Sequence, residues 1–463
     1  MKTLVQAVFF LLISSSVLAQ NKIQKIDSVL TSLHAAGKIN GNFLIAEKGN
    51  IIYKKSFGVA NEETRARIDE NTIFELASVS KQFTAMAVAL LKEKGKLSYD
   101  DEISKYLPQL DFYKGITIRN LVHHTGGLPD YMELMDSVWD KSKIATNKDI
   151  LNVFAQHKPP VLFAPGAKFE YSNTGYALLA SIIEKTSGQT FGDFLKTNIF
   201  EPLGMNSTFV HTRRFAPRAI SNYAYGYVFD ERNKRFVLPD SLEDYSIVMW
   251  LDGIVGDGTV NSTIGDMLKW DRALYNNTLA SIATMDEIFT SGKLADGSET
   301  EYGFGWFVTT MNDFGKVANH SGGWPGYSTF IERHLDNDKT IIMMQNHERS
   351  VLPAKSIRYL LYDKPIPVPP QRKEISLPVE VLTSYIGEYE LQPGVILKVF
   401  MEGNGLKTQL TGQSAFPIYP ESENKFFLKV VDAQLEFLKD ADNKVTKAVM
   451  HQNGRQTEVL KIR

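Results

Sequence analysis

Two residues near the start of the chain carry side chains that could perform nucleophilic catalysis. Ser78 and Lys81 stand three positions apart among apolar neighbours in the stretch FELASVSKQF, residues 74–83. Residues at positions i and i+3 share one face of a helix, so the lysine amine could take the proton of the serine hydroxyl if burial keeps that amine neutral. The same pattern also fits a helix N-terminus with a capping serine and a solvated lysine. The pair alone leaves both interpretations open.

Two further polar motifs follow this pair along the chain. Tyr171-x-Asn173 directly precedes a helical pattern, and His320-Ser321-Gly322 lies in the stretch NHSGGWPGYS. A phenol that faces the same cavity as the nucleophile could relay its proton to the leaving group and later activate water. Taken singly, Tyr171 could instead be a core residue, and Asn173 a helix cap.

Together, the three motifs resemble those of the active-site serine hydrolases that include penicillin-binding proteins and serine β-lactamases. In that superfamily Ser-x-x-Lys, Tyr-x-Asn or Ser-x-Asn, and Lys-Thr-Gly recur in this order. The stretches LVHHTGGLPDY (121–131) and GDGTVNSTIGDMLKWD (256–271) also look like its β-lactamase-related branch. The resemblance covers residues 25 to 360 approximately. It implies an α/β (α+β) catalytic domain in which helices flank an antiparallel sheet.

The resemblance implies three catalytic residues and a site for the oxyanion. Ser78 would form the acyl-enzyme, Lys81 would be its base, and Tyr171 would relay the proton. The backbone N–H groups of Ser78 and Gly323 would form the oxyanion hole. Each donor of this kind is typically worth roughly 3 to 4 kcal/mol in the transition state.

The second and third motifs would also supply the substrate contacts, namely Asn173, His320, Gly322 and Gly323. By the resemblance, Asn173 would hold the substrate amide and the lysine. His320 stands where β-lactamases carry a lysine, whose fixed positive charge binds a substrate carboxylate; a histidine is mostly neutral at pH 7 and can donate, accept or become charged. The His-x-Gly form looks like that of D-stereospecific aminopeptidases and esterase-like members of the superfamily. This departure argues against recognition of β-lactams and D-Ala-D-Ala.

The motifs therefore predict an exported serine hydrolase that acts on amide, peptide or ester bonds, in the manner of a D-amino-acid peptidase or an esterase. A β-lactamase or D-Ala-D-Ala carboxypeptidase is the alternative within the same chemistry. A non-catalytic penicillin- or peptide-binding sensor is the alternative of another class, since motifs do not encode the water placement on which deacylation depends.

The composition favours small molecules or peptides as partners. Lys and Arg total 51 against 53 Asp and Glu, and a formal net charge of -2 gives no pull toward nucleic acid or an anionic membrane. The chain has no cysteine, which excludes disulfides and thiolate metal ligands. His347 lacks the second histidine of a His-Glu-x-x-His zinc helix, and His123 and His124 are expected to be structural. We expect neither a metal nor a cofactor, and the sequence assigns no oligomeric state.

Residues 1–19 are typical of a secretory signal peptide. Lys2 precedes an apolar run from Leu4 to Leu18, and small residues occupy the positions that a signal peptidase reads before Gln20. Gln6 and three consecutive serines leave the run short of a bilayer span, and no cysteine follows it to carry a lipid. We therefore expect an exported protein, periplasmic or extracellular, without stable membrane insertion.

The remaining chain predicts a hydrolase domain over 20–363, a linker over 364–378 and a small β-barrel over 379–463. Five prolines in YDKPIPVPPQRKEISLP favour an extended linker. Beyond it, short alternating β runs and the dipeptide Asn453-Gly454 are typical of an antiparallel barrel or sandwich. This tail resembles the lipocalin-like domain that some of the related peptidases carry.

Apolar spacing predicts the elements that would position the motifs. The run 42–58 reads as a hairpin, and helices begin near Ser78, Thr174 and Thr263. The stretches STFIERH and KTIIMMQNH are expected to form strands after the third motif.

Overall fold

A computed structural model describes residues 21–367, 372–392, 395–411, 415–429, 431–452 and 455–463. The chain divides into two compact units, Met1–Pro365 and Ile366–Arg463. The signal peptide predicted over 1–19 and the turn predicted at Asn453-Gly454 lie outside the described residues. Across the described ranges, no helix has both the length and the apolar character needed to cross a membrane.

The first unit contains eleven strands in its described part. In chain order they are β1 (Gly41–Glu47), β2 (Asn50–Phe57), β3 (Phe74–Glu75), β4 (Phe209–Val210), β5 (Val228–Asp230), β6 (Arg235–Val237), β7 (Val260–Ser262), β8 (Phe307–Met311), β9 (Gly315–Trp324), β10 (Tyr327–His334) and β11 (Lys339–Gln345). Six of them form the main sheet in the order β2-β1-β11-β10-β9-β8, and every neighbouring pair is antiparallel. The predicted hairpin is confirmed as β1 and β2, and the two predicted strands as β10 and β11.

The helices of this unit flank the sheet. They are α1 (21–35), α2 (Lys81–Glu93), α3 (Ile118–Val122), α4 (Tyr131–Val138), α5 (Asn147–His157), α6 (Asn173–Ser187), α7 (Phe191–Leu195), α8 (Ile247–Trp250), α9 (Ile264–Tyr275), α10 (Ile282–Ile288) and α11 (Ala354–Leu361). Short 3-10 turns and one π-helical turn, Lys196–Phe200, complete the set. The predicted fold class, with an antiparallel sheet flanked by helices, is confirmed.

The three predicted helices are present, and their ends have physical causes. A 3-10 turn, Ala77–Ser80, precedes α2, and Gly95 follows it with φ +64°, a left-handed conformation that glycine adopts without steric cost. The Ser172 side chain accepts a hydrogen bond from the Gly175 N–H and so caps α6. Before α9, Thr263 accepts from the Asp266 N–H in the same way.

Helix α2 lies in the middle of the hydrophobic core. Every residue from Lys81 to Leu91 is buried, so polar side chains on this helix need partners inside the protein. Alternate residues of the central strands, including Leu44 and Ile342, belong to the same core cluster. The core thus fixes the helix that carries the first motif against the sheet that carries the third.

The second unit is a closed antiparallel barrel, as predicted. A short helix, α12 (Val379–Thr383), precedes its eight strands, which are β12 (Gly387–Gln392), β13 (Val395–Glu402), β14 (Gly405–Leu410), β15 (Phe416–Pro420), β16 (Lys425–Phe427), β17 (Ala433–Lys439), β18 (Val445–Gln452) and β19 (Arg455–Lys461). Tyr385, Tyr389, Phe426 and Phe437 are buried inside it.

Part of the proline-rich segment that we predict as a linker is hydrogen-bonded to this barrel. The Ile375 N–H donates to the Pro420 carbonyl at 2.9 Å, and Arg372 forms ion pairs with Glu421 and Asp432. The domain bounds 20–363, 364–378 and 379–463 stay predictions.

Candidate active site

The turn that precedes α2 holds Ser78 between two parts of the fold. The Thr329 hydroxyl of β10 donates to the Leu76 carbonyl at 2.6 Å, and the Ser80 hydroxyl accepts from the Val260 N–H at 3.1 Å. Ala77, between them, has φ +48°, a left-handed conformation that costs a non-glycine residue free energy. Ser80 is the N-cap of α2 but makes no side-chain cap hydrogen bond, and Ser78 lies within the preceding turn. The alternative interpretation as a capped, solvated helix end is therefore wrong.

Lys81 is fully buried and connects the first two motifs. Its Nζ lies 3.1 Å from Ser78 Oγ, 2.9 Å from Asn173 Oδ1 and 2.7 Å from the main-chain oxygen of Asp257. All three neighbours of this nitrogen are neutral oxygen atoms. The structure therefore brings Ser78, Lys81 and Asn173 together as the sequence predicts.

Tyr171 packs beside the lysine but makes no hydrogen bond with it. The Lys81 Nζ lies 5.0 Å from the centre of the phenol ring, and the ring packs on His124 with 4.4 Å between centroids. Within the described part of the chain, the Tyr171 hydroxyl is buried and has no hydrogen-bond partner. The phenol is thus near the site, but in this structure its oxygen does not contact Ser78.

His320 lies beneath the site and is 2% exposed. Its Nδ1 is 2.6 Å from the Ser321 carbonyl oxygen and its Nε2 is 3.0 Å from the Tyr302 hydroxyl. The carbonyl can only accept, so Nδ1 carries the proton and Nε2 accepts from the phenol. Burial, reinforced by the charge of Lys81, lowers the pKa of His320 to about 3. The histidine is neutral, and both of its nitrogens are occupied within the protein.

The glycines of the third motif bring β9 close to Ser78. Strand β9 continues beyond Asn319, its last pairing with β8, and Gly322 lies against the Ser78 turn. A Cβ on Gly322 would lie 2.2 Å from the Leu76 carbonyl oxygen and 3.2 Å from the Ser78 nitrogen, so only glycine fits there. Gly323 has free space around it and lines the cleft above Ser78.

The cleft over Ser78 encloses about 190 Å³. Apolar walls come from Met132, Leu251, Ile254 and Trp324. Polar lining comes from Glu75, Ser78, Tyr131, Asn173, His211, Asp252, Asp257 and Thr259. Of the predicted site residues, the structure places Ser78, Asn173 and Gly323 along this cleft, whereas Lys81, Tyr171 and His320 lie behind it.

Three carboxylic acids along the cleft were not anticipated from the sequence. Burial, reinforced by the charge of Asp252, raises the pKa of Glu75 to about 7. Asp252 forms an ion pair with Arg214 at 3.0 Å. Burial also raises the pKa of Asp257, and the Tyr131 hydroxyl donates to its carboxylate at 2.9 Å. Glu75 and Asp257 stand inside motif stretches that the sequence singles out, but their orientation toward the cleft depends on the fold.

The histidines expected to be structural have that role. The imidazole of His123 donates to the Tyr302 carbonyl from Nδ1 at 2.9 Å, and the Nδ1 of His124 accepts from the Ser172 N–H at 3.0 Å. Burial lowers the pKa of His123 to about 4. The described residues contain no group of three His, Asp or Glu side chains that could hold a metal ion.

Comparison with known proteins assigns the family. Residues 26–363 match the family model described as Beta-lactamase, and residues 371–461 match a domain of unknown function, DUF3471. The chain belongs to the Beta-lactamase family and is a serine hydrolase that acts by acyl transfer, as the motifs predict.

Individual relatives agree with this class. The chain is 40% identical to penicillin-binding protein 4* of Bacillus subtilis (strain 168) over 451 residues, which cover 96% of this chain and 99% of the relative. An octameric penicillin-binding protein homologue from Pyrococcus abyssi has a similar structure, with a TM-score of 0.64, 24% identity and coverage of 94% and 99%. The D-amino acid amidase of Ochrobactrum anthropi SV3 has a TM-score of 0.59 and 24% identity, with coverage of 74% and 98%.

Proposed function

We propose that this protein is an exported hydrolase that cleaves D-amino-acid amides, peptides or small esters through an acyl-enzyme on Ser78. The observation that carries the proposal is the 3.1 Å contact between Ser78 Oγ and Lys81 Nζ at the edge of the cleft. Nucleophile and base must lie within about this distance for proton transfer to accompany attack.

The proposed acylation uses residues of all three motifs. In its neutral form, Lys81 takes the Ser78 proton as Oγ bonds to the substrate carbonyl carbon. The N–H groups of Ser78 and Gly323 stabilise the resulting oxyanion, and Asn173 holds the lysine and the substrate amide. The proton then passes to the leaving group, with Tyr171 as the proposed relay. The relay requires the Tyr171 phenol to move, because its hydroxyl is buried and unpartnered here.

The charge of the cleft supports an amide or ester substrate over one recognised by its carboxylate. Among the described residues that line the cleft there is no lysine or arginine, while Glu75, Asp252 and Asp257 are acidic. His320, which replaces the expected lysine, is neutral and buried. A substrate carboxylate would therefore find no lysine or arginine among these lining residues to bind it.

A penicillin-directed activity is the second candidate. It is supported by the 40% identity to a penicillin-binding protein over almost the whole chain. The same Ser78 nucleophile would then attack a β-lactam or a D-Ala-D-Ala peptide, and slow deacylation would make the protein a sensor.

We also propose that residues 1–19 are removed on export, leaving a periplasmic or extracellular protein that takes a small molecule or peptide as its substrate. Residues 1–18 carry the signal-like pattern of Lys2 followed by an apolar run. Cell fractionation with N-terminal sequencing of the mature protein tests this, and a start near Gln20 is expected.

Time-resolved mass spectrometry of the intact protein separates the candidates. The protein is incubated with a D-alanine amide, a p-nitrophenyl ester and a chromogenic cephalosporin, with Ser78→Ala as control. We expect a transient adduct and turnover with the amide or ester. A lasting cephalosporin adduct without turnover would favour the sensor, fast cephalosporin hydrolysis would favour a β-lactamase, and an adduct on the alanine variant would contradict Ser78 as nucleophile.

A further inference from the structure

We propose that the carboxylate of Asp257 activates the water that hydrolyses the Ser78 acyl-enzyme, an inference that rests on the proposed function. The proposal concerns the second half of the reaction, in which an ester of Ser78 must be attacked by water. Water is a weak nucleophile, so this step needs a base next to the ester.

Asp257 is close to the reacting atoms through its own main chain. Its carbonyl oxygen and Ser78 Oγ contact the same nitrogen, Lys81 Nζ, at 2.7 and 3.1 Å. The residue is 8% exposed, and that exposure is toward the cleft that Ser78 also lines. Tyr131, whose hydroxyl binds the Asp257 carboxylate, lines the same cleft, so a water molecule that enters the cleft toward Ser78 can reach this carboxylate.

A hydrogen bond from a neighbouring phenol holds the carboxylate. The Tyr131 hydroxyl donates to Oδ2 at 2.9 Å, and the backbone of Asp257 also bonds to the carboxyl group. Three charged or polar groups face the carboxyl group: Lys81 of α2, and Tyr131 and Asp130 at the start of α4. Lys81 and Tyr131 favour the ionised form, while burial and Asp130 oppose it, so the pKa lies above the ordinary aspartate value.

Tyr171, whose phenol the sequence suggests for this step, is less well placed than Asp257. The Tyr171 hydroxyl is buried without a partner and does not line the cleft, whereas Asp257 does. A carboxylate can also accept a proton from water directly, whereas a phenol must first lose its own proton.

Every proton and every bond of the deacylation step is accounted for within the site. Asp257 takes a proton from water as the water oxygen bonds to the ester carbon, giving a tetrahedral oxyanion. The bond from carbon to Ser78 Oγ then breaks, and Oγ receives the proton that Asp257 had taken. The free acid leaves, and Ser78, Lys81 and Asp257 return to their starting states.

The test measures acylation and deacylation separately in Asp257→Asn. With a p-nitrophenyl ester, the burst of nitrophenol reports acylation and the steady rate reports deacylation. We expect acylation to change by less than about threefold and deacylation to fall by about 100- to 1,000-fold, the usual effect of losing a general base. The Ser78 adduct should then accumulate in the mass spectrum. Asp136→Asn, the same change on the exposed side of α4, is the matched control and should leave both rates unchanged.

A second readout separates a base from a structural residue. Hydroxylamine attacks an ester without needing a base, so it should restore turnover of Asp257→Asn but not of a variant whose site is distorted. Failure of hydroxylamine to restore turnover would contradict the proposal.

A variant that keeps the carboxylate covers the case in which Asp257→Asn does not fold. Tyr131→Phe removes the hydrogen bond that lowers the Asp257 pKa, so the pH midpoint of deacylation should move upward. An unmoved midpoint would overturn the proposal. Normal deacylation in Asp257→Asn would also overturn the proposal, whether or not Tyr171→Phe loses deacylation. A wild type that forms no Ser78 adduct at all would instead overturn the proposed function itself.

Discussion

Lys81 is the residue on which the site depends, because it is buried and touches three parts of the fold. Its amine contacts the serine, the asparagine of the second motif and the main chain of the loop that precedes β7. None of these partners carries a charge. A buried amine without a counter-ion is the arrangement that lets a lysine act as a base instead of a fixed cation.

Removal of either member of this pair should abolish acylation. We expect Ser78→Ala and Lys81→Ala each to lower kcat/KM by at least about 1,000-fold, because the first removes the attacking oxygen and the second its base. Both are measured on one ester substrate, with circular dichroism to establish folding. Near-wild-type turnover by either variant would contradict the assignment.

The burial of His320 gives a prediction for acid stability. The pKa of His320 in the folded protein is about 3, below the ordinary value of about 6.5. Between these two pH values the unfolded chain therefore binds a proton at His320 and the folded chain does not. The free energy of unfolding therefore falls as the pH drops from 6.5 toward 3. His320→Gln can still bond to Tyr302 and Ser321 but does not titrate in this range. Its free energy of unfolding should therefore fall less than that of the wild type, by roughly 1 to 3 kcal/mol. Urea titrations at several pH values measure it, and equal slopes would show that His320 titrates normally.

The burial of His320 also gives a prediction for the pH dependence of catalysis. Because the imidazole of His320 stays neutral at every pH well above 3, this residue should cause no change of kcat/KM near pH 6.5. A titration near that pH which disappears in His320→Gln would contradict the buried, neutral state.

The sequence predicts part of this site for a physical reason. Ser78 and Lys81 share a helical turn, so local spacing alone is enough to bring them together. The burial of His320 depends on Tyr302, which belongs to no motif and approaches only in the folded chain. Glu75 and Asp257 were likewise missed because their exposure to the cleft is set by non-local packing.

At the scale of elements, the turn that carries Ser78 is clamped between strands. Thr329 of β10 bonds to the Leu76 carbonyl, and Val260 of β7 bonds to Ser80. These contacts can offset the left-handed conformation of Ala77, which costs roughly 1 to 3 kcal/mol. The clamp thus fixes the direction in which the Ser78 N–H and hydroxyl point.

Gly322 gives the sharpest test of this clamp. A methyl group there would meet backbone at 2.2 Å, so Gly322→Ala must push β9 away from the Ser78 turn. We expect kcat/KM to fall by about 100-fold, the usual effect of a misplacement of about 1 Å in an active site. Gly265→Ala on α9, whose methyl group would meet nothing within 4 Å, is the matched control. Equal activity of the two variants would show that the close approach of β9 does not matter.

Element prediction succeeds where the hydrophobic period is regular. The helices that begin near Ser78, Thr174 and Thr263 and the strands β10 and β11 follow their apolar patterns. The pairing of β1 with β11 joins residues about 300 positions apart, as in Phe43 opposite Met343, and no local pattern encodes it. The central sheet therefore follows from the family resemblance and the structure, not from periodicity.

At the scale of the whole molecule, each unit has its own hydrophobic core. The catalytic unit buries α2 against its sheet and the neighbouring helices, while the barrel buries an aromatic cluster. Of the alternating residues that the sequence predicts, Ala433, Leu435 and Phe437 of β17 are buried, whereas Val431 precedes the strand and is 41% exposed. Barrel closure is less local, since it needs β12 to pair with β19 at the far end of the chain.

Phe437 is the residue that best tests the barrel core. It is fully buried, stacks on Tyr385 with 4.6 Å between ring centroids, and also contacts Tyr389 and Phe426. Phe437→Ala would leave a cavity among these rings, so we expect the barrel to lose about 3 to 5 kcal/mol of stability. Hydrogen exchange of barrel amides in the full-length protein measures the loss.

A matched truncation on the barrel surface completes this experiment. Leu460 of β19 is 58% exposed, so Leu460→Ala removes an apolar side chain without opening a cavity and should change the free energy of unfolding by less than about 0.5 kcal/mol. The exchange rates of β17 and its neighbour β18 should therefore rise sharply in Phe437→Ala and stay close to wild type in Leu460→Ala. Equal protection in the two variants would mean that the aromatic cluster does not hold the barrel together, and that its stability comes from the closed hydrogen-bonded ladder of strands instead.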